Sequence, residues 1–443
     1  MTTKVFMLSL GCSKNQVNAE MMLALLRQEG MEIVDDPAAA QVAVVNTCGF
    51  IDDAKSEAID SILALAPLKE QGVLQAIVVT GCLAERYRQQ VLELLPEVDV
   101  VVGTGSCGDI AAAVRGALQH SGTNAYFAPQ DEGILEGERV LLTPSYYAYL
   151  RIAEGCDNRC AYCVIPYLRG RFRSRRMEDI VAEARKLAEN GVRELLIIAQ
   201  DTSRYGTDLY GERRLDQLLQ QLAEIDGIDW IRIHYLYPDE IDDSLLETIA
   251  NCDKIVKYFD IPIQHINDRV LQSMNRRGDG ALIRHRIAQI RSMMPDAVIR
   301  TSLIVGFPGE TEEEYQELYD FLEEYRLQRV GVFAYSQEEG SPAAEMPDQI
   351  DPEIKERRRA EIYRLQEEIM EESSAAWVGK TLRVLCCGRD ADGNLYGRSY
   401  MDSPDIDGIV YFESETVQEG QFADVQITYA EGCDLYGKPV AAL

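Results

Sequence analysis

Residues 146–167 read YYAYLRIAEGCDNRCAYCVIPY. An apolar, aromatic-rich run ends in a polar loop that carries Cys156, Cys160 and Cys163, a C-x3-C-x2-C spacing. The run predicts a buried strand, and the loop after it holds three thiols close together. Three thiolates on one loop suit three irons of a [4Fe–4S] cluster and leave the fourth iron open for chemistry. The competing reading is a structural zinc loop, but zinc takes four ligands, with a second C-x2-C elsewhere. The chain has no second C-x2-C, and Cys386 and Cys387 are adjacent rather than spaced.

Outward from this loop, residues 146–340 alternate strand-like and helical patterns. YYAYLRIA, ELLIIAQD, WIRIHYLYP, KYFDIPIQH, AVIRTSLIVGFPG and RVGVFAYS are the expected strands. Six βα units predict a partial, open (β/α)6 barrel, with its site at the carboxyl ends of the strands. Before it, residues 1–121 alternate in the same way and predict a doubly wound parallel sheet. Cys12, Cys48 and Cys82 each follow a strand in that segment, within LGCSKN, NTCGFI and TGCLAE. Three remote thiols are therefore expected on one sheet edge, as a second triad. Residues 122–145 read as a linker. The charged helix PEIKERRRAEIYRLQEEIMEESSAAW links to a last segment, residues 375–443, whose short apolar stretches predict an all-β barrel of about five strands. The expected domains are thus 1–121, 142–374 with its linking helix, and 375–443.

The chain has 443 residues and a net charge of -30, from 44 basic and 74 acidic residues. Such a field disfavours phosphate and favours a basic protein partner. The last segment has 5 basic and 11 acidic residues, without the positive groove of an RNA-binding barrel. No apolar run approaches the roughly 18 residues of a spanning helix. A soluble, cytoplasmic, monomeric protein is expected. Eleven cysteines, an odd number, favour metal or catalytic thiolates over disulfides.

The cysteine loop resembles that of the radical S-adenosylmethionine (SAM) enzymes, with Tyr162 at the family's aromatic position. The resemblance implies that SAM chelates the open iron and is cleaved by one electron, from a low-potential donor, to a 5′-deoxyadenosyl radical. Gly306 and Glu310 in LIVGFPGET fall where the family has a SAM-contacting strand. The other reading of that segment is a Gly-Pro turn into a helix capped by Thr311. Gln200 and Asp201 end the second strand and are candidates to face SAM. His265 ends another strand, as a structural partner or as a catalyst.

Over essentially the full length the chain resembles the methylthiotransferases, whose amino-terminal motifs match LSLGCSKNQVNAE, VVNTCGFID and VVTGCLAERY. Asn18 departs from them, standing where an acidic residue is expected. The resemblance implies that Cys12, Cys48 and Cys82 bind an auxiliary [4Fe–4S] cluster, that Cys156, Cys160 and Cys163 bind the radical cluster, and that the last segment is a substrate-binding TRAM domain. It further implies that one SAM methylates a sulfide held on the auxiliary cluster. A second SAM supplies the radical that takes a hydrogen from an unactivated carbon. NLYGRSYMDSPDIDGIVYF resembles the branch that modifies an aspartate of the twelfth small-subunit ribosomal protein, free or in the assembled subunit. Asp402, Asp405 and Asp407 are then expected to form an acidic face for that basic substrate. Arg169, Arg171, Arg173, Arg175 and Arg176 argue for the alternative, a tRNA adenosine methylthiotransferase. The alternative of another class is a non-catalytic iron–sulfur protein that docks on the ribosome.

Overall fold

The computed structural model describes residues 2–119 and 122–440. Its first sheet is six-stranded and parallel, in the order Glu32–Val34, Lys4–Ser9, Val42–Thr47, Ala76–Gly81, Val100–Val102, Ala125–Tyr126. The central runs VAVVNT and AIVVTG are buried along their whole length. That is what helices on both faces require. Helices Ser13–Gln28 and Ile110–Gln119 supply Ala19, Met22, Leu26, Ile110 and Val114 to one side; helix Asp52–Glu70 supplies Ala58, Ile62 and Leu65 to the other. Ala125–Tyr126 lies within the stretch expected to be a linker, yet it pairs with Val101–Val102 as the edge strand. Two residues carry too short a pattern to be read as a strand.

The second sheet is also parallel and six-stranded, in the order Arg329–Ala334, Val298–Val305, Ile255–Asp260, Trp230–Ile233, Glu194–Ile198, Tyr147–Arg151. It is the expected open (β/α)6 arrangement. Its helices bury stripes at three- and four-residue spacing, such as Leu215, Leu218, Leu219 and Leu222. Thr311 caps helix Glu312–Tyr325 in a reciprocal capping box with Glu314.

The last strands, Thr381–Arg389, Leu395–Ser399, Val410–Phe412, Phe422–Glu431 and Asp434–Pro439, close into a five-stranded barrel. It packs its Leu382, Val384, Leu385 and Val425 against Tyr146, Tyr147, Trp230, Val256 and Val298. These lie at the amino-terminal ends of the second sheet's strands, opposite the cysteine loop.

That interface is also polar. Glu194, fully buried, accepts from Arg232 Nε at 2.9 Å and from Arg398 Nη2 at 2.6 Å. Asp407 accepts from Tyr258 Oη at 2.6 Å, and Asp402 pairs with Arg329 at 3.2 Å. The expected acidic docking face is therefore corrected. The side chains of Asp402 and Asp407 are each 3% exposed and fasten the small barrel to the second sheet. Asp405 alone of the three is exposed, in a turn with φ of 66°. Burying two carboxylates requires cationic partners, and Arg329 serves both.

His234 bridges the same interface. Its Nδ1 lies 3.2 Å from Asp260, an acceptor only, so Nδ1 carries the proton. Nε2 then accepts from Ser403 Oγ at 3.1 Å. Burial pushes the imidazole below its ordinary range, so the folded ring stays neutral where an unfolded one is protonated. This contribution to stability is complete above about pH 6.5 and declines below it, by up to about 1.4 kcal/mol per pH unit. Denaturant unfolding at pH 7.5 and 5.5 is expected to show this loss, and His234→Gln is expected to reduce it.

Candidate metal centre

Cys12, Cys48 and Cys82 follow the first, third and fourth strands in chain order, at their carboxyl ends. Their loops touch. Gly11 has φ of 88°, and a Cβ there would stand 2.8 Å from Cys48 Cβ. Any side chain would push the two thiol loops apart. Cys12 sits at the amino-terminal cap of helix Ser13–Gln28, and Cys82 opens helix Cys82–Tyr87. Asn15 ties the loops together: its Nδ2 donates to Thr47 O at 2.8 Å and Leu10 O at 3.2 Å. Burial pushes the Cys82 thiol up to about 11, with Arg169 opposing.

Cys156, Cys160 and Cys163 follow the first strand of the second sheet. Gly155, with φ of 80°, lets Cys156 N reach Gly170 O at 3.1 Å; a Cβ there would meet Arg171 O at 2.0 Å. Arg276 lies with Nη1 3.7 Å from Cys160 Sγ and its guanidinium 4.3 Å from the Tyr237 ring centroid. Burial pushes the Cys156 thiol up to about 11. The three cysteines line a cavity of about 430 Å³ with Tyr167 and Asn275. Tyr162 packs beside Phe307 and Tyr335.

Between the triads runs the segment from Val164 to Arg169. Val164 and Leu168 pack on Cys82 and Phe50. Arg169, 3% exposed, donates to Cys82 Sγ at 3.4 Å and to Asn15 Oδ1, and pairs with Glu154 at 3.5 Å. A side chain six residues after Cys163 thus touches a thiol of the other triad. In the sequence it is one arginine of a basic run. Arg173 pairs with Asp131, and Arg175 is buried against Glu136 and Glu183; only Arg171 and Arg176 are exposed. The run builds the interior more than a phosphate-binding strip. Asn18, where an acid was expected, accepts from Arg151, whose second partner is Glu154 at 2.7 Å.

The expected SAM contacts divide. Gln200 stands at the mouth: its Nε2 donates to Glu154 at 2.7 Å, and its Oε1 is buried without a partner. Asp201 is fully buried, accepting from Asn158 at 2.7 Å and Ser203 at 2.6 Å. Asn158 Oδ1 is a second buried oxygen without a partner. Glu310 turns inward, contrary to expectation. Its oxygens accept from Gly306 N, Phe307 N, His265 and Arg358, so it anchors the turn that Gly306 opens with φ of 73°. His265 uses both nitrogens, accepting from Asn267 N at 3.0 Å and pairing with Glu310 at 3.3 Å, which is the structural reading. Sequence reasoning missed Asn15, Lys14 and Arg276; their nearness to the cysteines is a product of the fold, apart from the short spacing to Cys12.

All eleven cysteines are free. Among the described residues no three Cys, His, Asp or Glu side chains close on a single ion. Thiols that each reach a different iron of one cluster have no need to do so. The soft donor set and the partnerless oxygens of Gln200 and Asn158 beside it fit an iron–sulfur cluster with a polar organic ligand.

A six-stranded partial barrel bearing a C-x3-C-x2-C loop at the end of its first strand defines a radical SAM enzyme, which holds an iron–sulfur cluster and SAM. The Ribosomal protein uS12 methylthiotransferase RimO of Pelotomaculum thermopropionicum is 49% identical over 443 residues, covering 99% of this chain and 100% of the relative. The chain belongs to the RimO family of methylthiotransferases. The RimO proteins of Thermoanaerobacter sp. and Clostridium tetani are 47% and 46% identical, each over 98% of this chain and over 99% and 97% of their own lengths. Residues 4–103 match the uncharacterized protein family UPF0004, residues 150–322 the radical SAM superfamily and residues 378–440 the TRAM domain. The radical SAM methyltransferase TsrM of Kitasatospora setae, solved with cobalamin and a [4Fe–4S] cluster, shares the fold. Its TM-score is 0.56 at 14% identity, over 75% of each chain. No helix among the described residues is long and apolar enough to cross a membrane.

Proposed function

We propose that this chain attaches a methylthio group to the β-carbon of an aspartate in ribosomal protein uS12, using SAM and two [4Fe–4S] clusters. Cys156, Cys160 and Cys163 hold the cluster that binds SAM, and Cys12, Cys48 and Cys82 hold the second. The observation that carries this reading is the pair of thiol triads on either side of the segment Val164 to Arg169. Bound there, the clusters and SAM supply reductive cleavage to a carbon-centred radical and a transferable sulfur.

The chain's own groups orient and shield these parts. Arg169 sets a positive charge against Cys82, which favours its thiolate form in a buried site. Arg276 places its guanidinium 3.7 Å from Cys160 Sγ. Gln200 presents its free Oε1 to a polar ligand at the mouth. Helix Ser13–Gln28 covers the barrel mouth, with Val17 and Met21 packed on Ile198, and excludes water from reactive intermediates. We assign the three units 1–121, 142–374 and 375–443 to the second cluster, the SAM cluster and substrate contact. A low-potential donor supplies the electron, and the protein works as a cytoplasmic monomer. The chain's charge of -30 steers a basic ribosomal protein, more strongly at low salt. The burial of Arg169 and Arg175, and the pairing of Arg173 with Asp131, weaken the tRNA reading.

Mass spectrometry of ribosomal proteins and tRNA from cells with and without the gene tests this reading. The expected result is loss of the methylthio mass increment from one aspartate of uS12, with tRNA unchanged. Loss from a tRNA adenosine with uS12 unaltered would overturn it.

A further inference from the structure

A negatively charged side chain that enters a buried radical site must leave water, and it needs a cation in return. The buried cations near the two triads are mostly committed. Arg151 pairs with Glu154 and Asn18, Arg169 with Glu154, Asn15 and Cys82, and Arg276 with Pro262 O and Cys160. Lys14 differs. It is 5% exposed and pairs with no carboxylate among the described residues. Its Nζ rests 3.0 Å from the centroid of the Tyr235 ring. An aromatic face holds an ammonium but leaves its remaining N–H donors free.

Its place is equally specific. Lys14 follows Cys12 by two residues, while Tyr235 lies two residues beyond the third strand of the barrel, Trp230–Ile233, where its N–H, at φ of 64°, donates to Asp260. The ammonium therefore stands where the amino-terminal sheet meets the barrel mouth. We propose that Lys14 is the substrate anchor, binding the side-chain carboxylate of the residue to be modified and selecting an acidic residue over a neutral one. This rests on the uS12 reading above. A charge-assisted hydrogen bond from Nζ would fix the carboxylate and so point the adjoining β-carbon into the site.

The test uses holoprotein, kept anaerobic, and peptides spanning the modified uS12 loop with the native aspartate or with alanine in its place. The parent is expected to bind the aspartate peptide about 10- to 100-fold more tightly, the range of a hydrogen bond between charged groups. Lys14→Met keeps the length of the side chain without its charge. It is expected to hold the parent's iron and cluster absorbance, to bind the alanine peptide as the parent does, and to lose the preference for aspartate. Lys14→Arg is expected to restore part of it. A Lys14→Met protein that keeps the preference, or that loses both peptides equally, would overturn the assignment. So would a parent that methylthiolates uS12 without preferring aspartate, which would leave the functional reading intact. A parent that neither modifies uS12 nor binds either peptide would overturn both.

Discussion

Replacing Cys156, Cys160 and Cys163 together by alanine is expected to leave about half of the iron of the reconstituted protein and to abolish release of 5′-deoxyadenosine from SAM. The triads lie on separate sheets and each supplies its own thiols, so the second centre does not depend on the first. The converse variant, with Cys12, Cys48 and Cys82 replaced, is expected to lose the other half of the iron. It should still cleave SAM but transfer no methylthio group. Iron analysis and chromatographic assay of 5′-deoxyadenosine under reducing, anaerobic conditions measure both. Release of 5′-deoxyadenosine by the first variant would show that SAM is bound elsewhere. Loss of all iron from either variant would show one shared centre. Every one of the six is a thiol without a disulfide partner, so the substitutions cut no cross-link.

The second large effect is expected far from the cysteines. Glu194→Ala removes the one carboxylate between Arg232 and Arg398, whose side chains are 0% and 5% exposed. Two buried guanidinium groups are then left facing each other. Breaking a buried pair in this way costs about 3–5 kcal/mol. The loss should appear as release of the small carboxyl-terminal barrel, because Arg398 belongs to that barrel while Glu194 and Arg232 belong to the second sheet. Limited proteolysis is expected to cleave between residues 375 and 381 in the variant and to spare the parent. Iron content should be unchanged, because the interface lies at the opposite end of the strands from the thiols. A triple variant, Glu194→Leu with Arg232→Met and Arg398→Met, is expected to regain much of the stability, since nothing charged remains buried there. If Glu194→Ala resisted protease as the parent does, the ion triad would not be what holds the barrel.

The two expectations differ in how far each could be read without a fold. The six cysteines were legible from position alone. Cys156, Cys160 and Cys163 lie within eight residues of one another, so a single loop gathers them. Cys12, Cys48 and Cys82 each follow an apolar run, and parallel strands bring such ends to one edge. The alternation of strand and helix patterns likewise carried both parallel sheets. The closed barrel followed from short apolar runs separated by glycine and aspartate.

Residue type at a motif position was a weaker guide. Asp402 and Asp407 are acids in an acidic segment, and as sequence they resemble a solvated docking face. Arg329, 73 residues from Asp402, turns them into a buried clasp. Glu310 sits at a motif position beside the expected SAM site, yet Arg358 and His265 claim it from other elements. Arg169 was one of five arginines until the fold set it against Cys82, 87 residues away. Lys14 was an ordinary residue beside a cysteine until Tyr235 came to lie under it.

The sequence by itself determined the backbone architecture and where the thiols gather, because periodicity and short spacing are local properties that burial and strand geometry convert directly into structure. Only the tertiary structure decided which charges are spent within the protein and which remain for a substrate. That choice depends on partners tens to hundreds of residues apart, and a charge in a low-dielectric interior is governed by the partner it meets there, not by its neighbours in the chain.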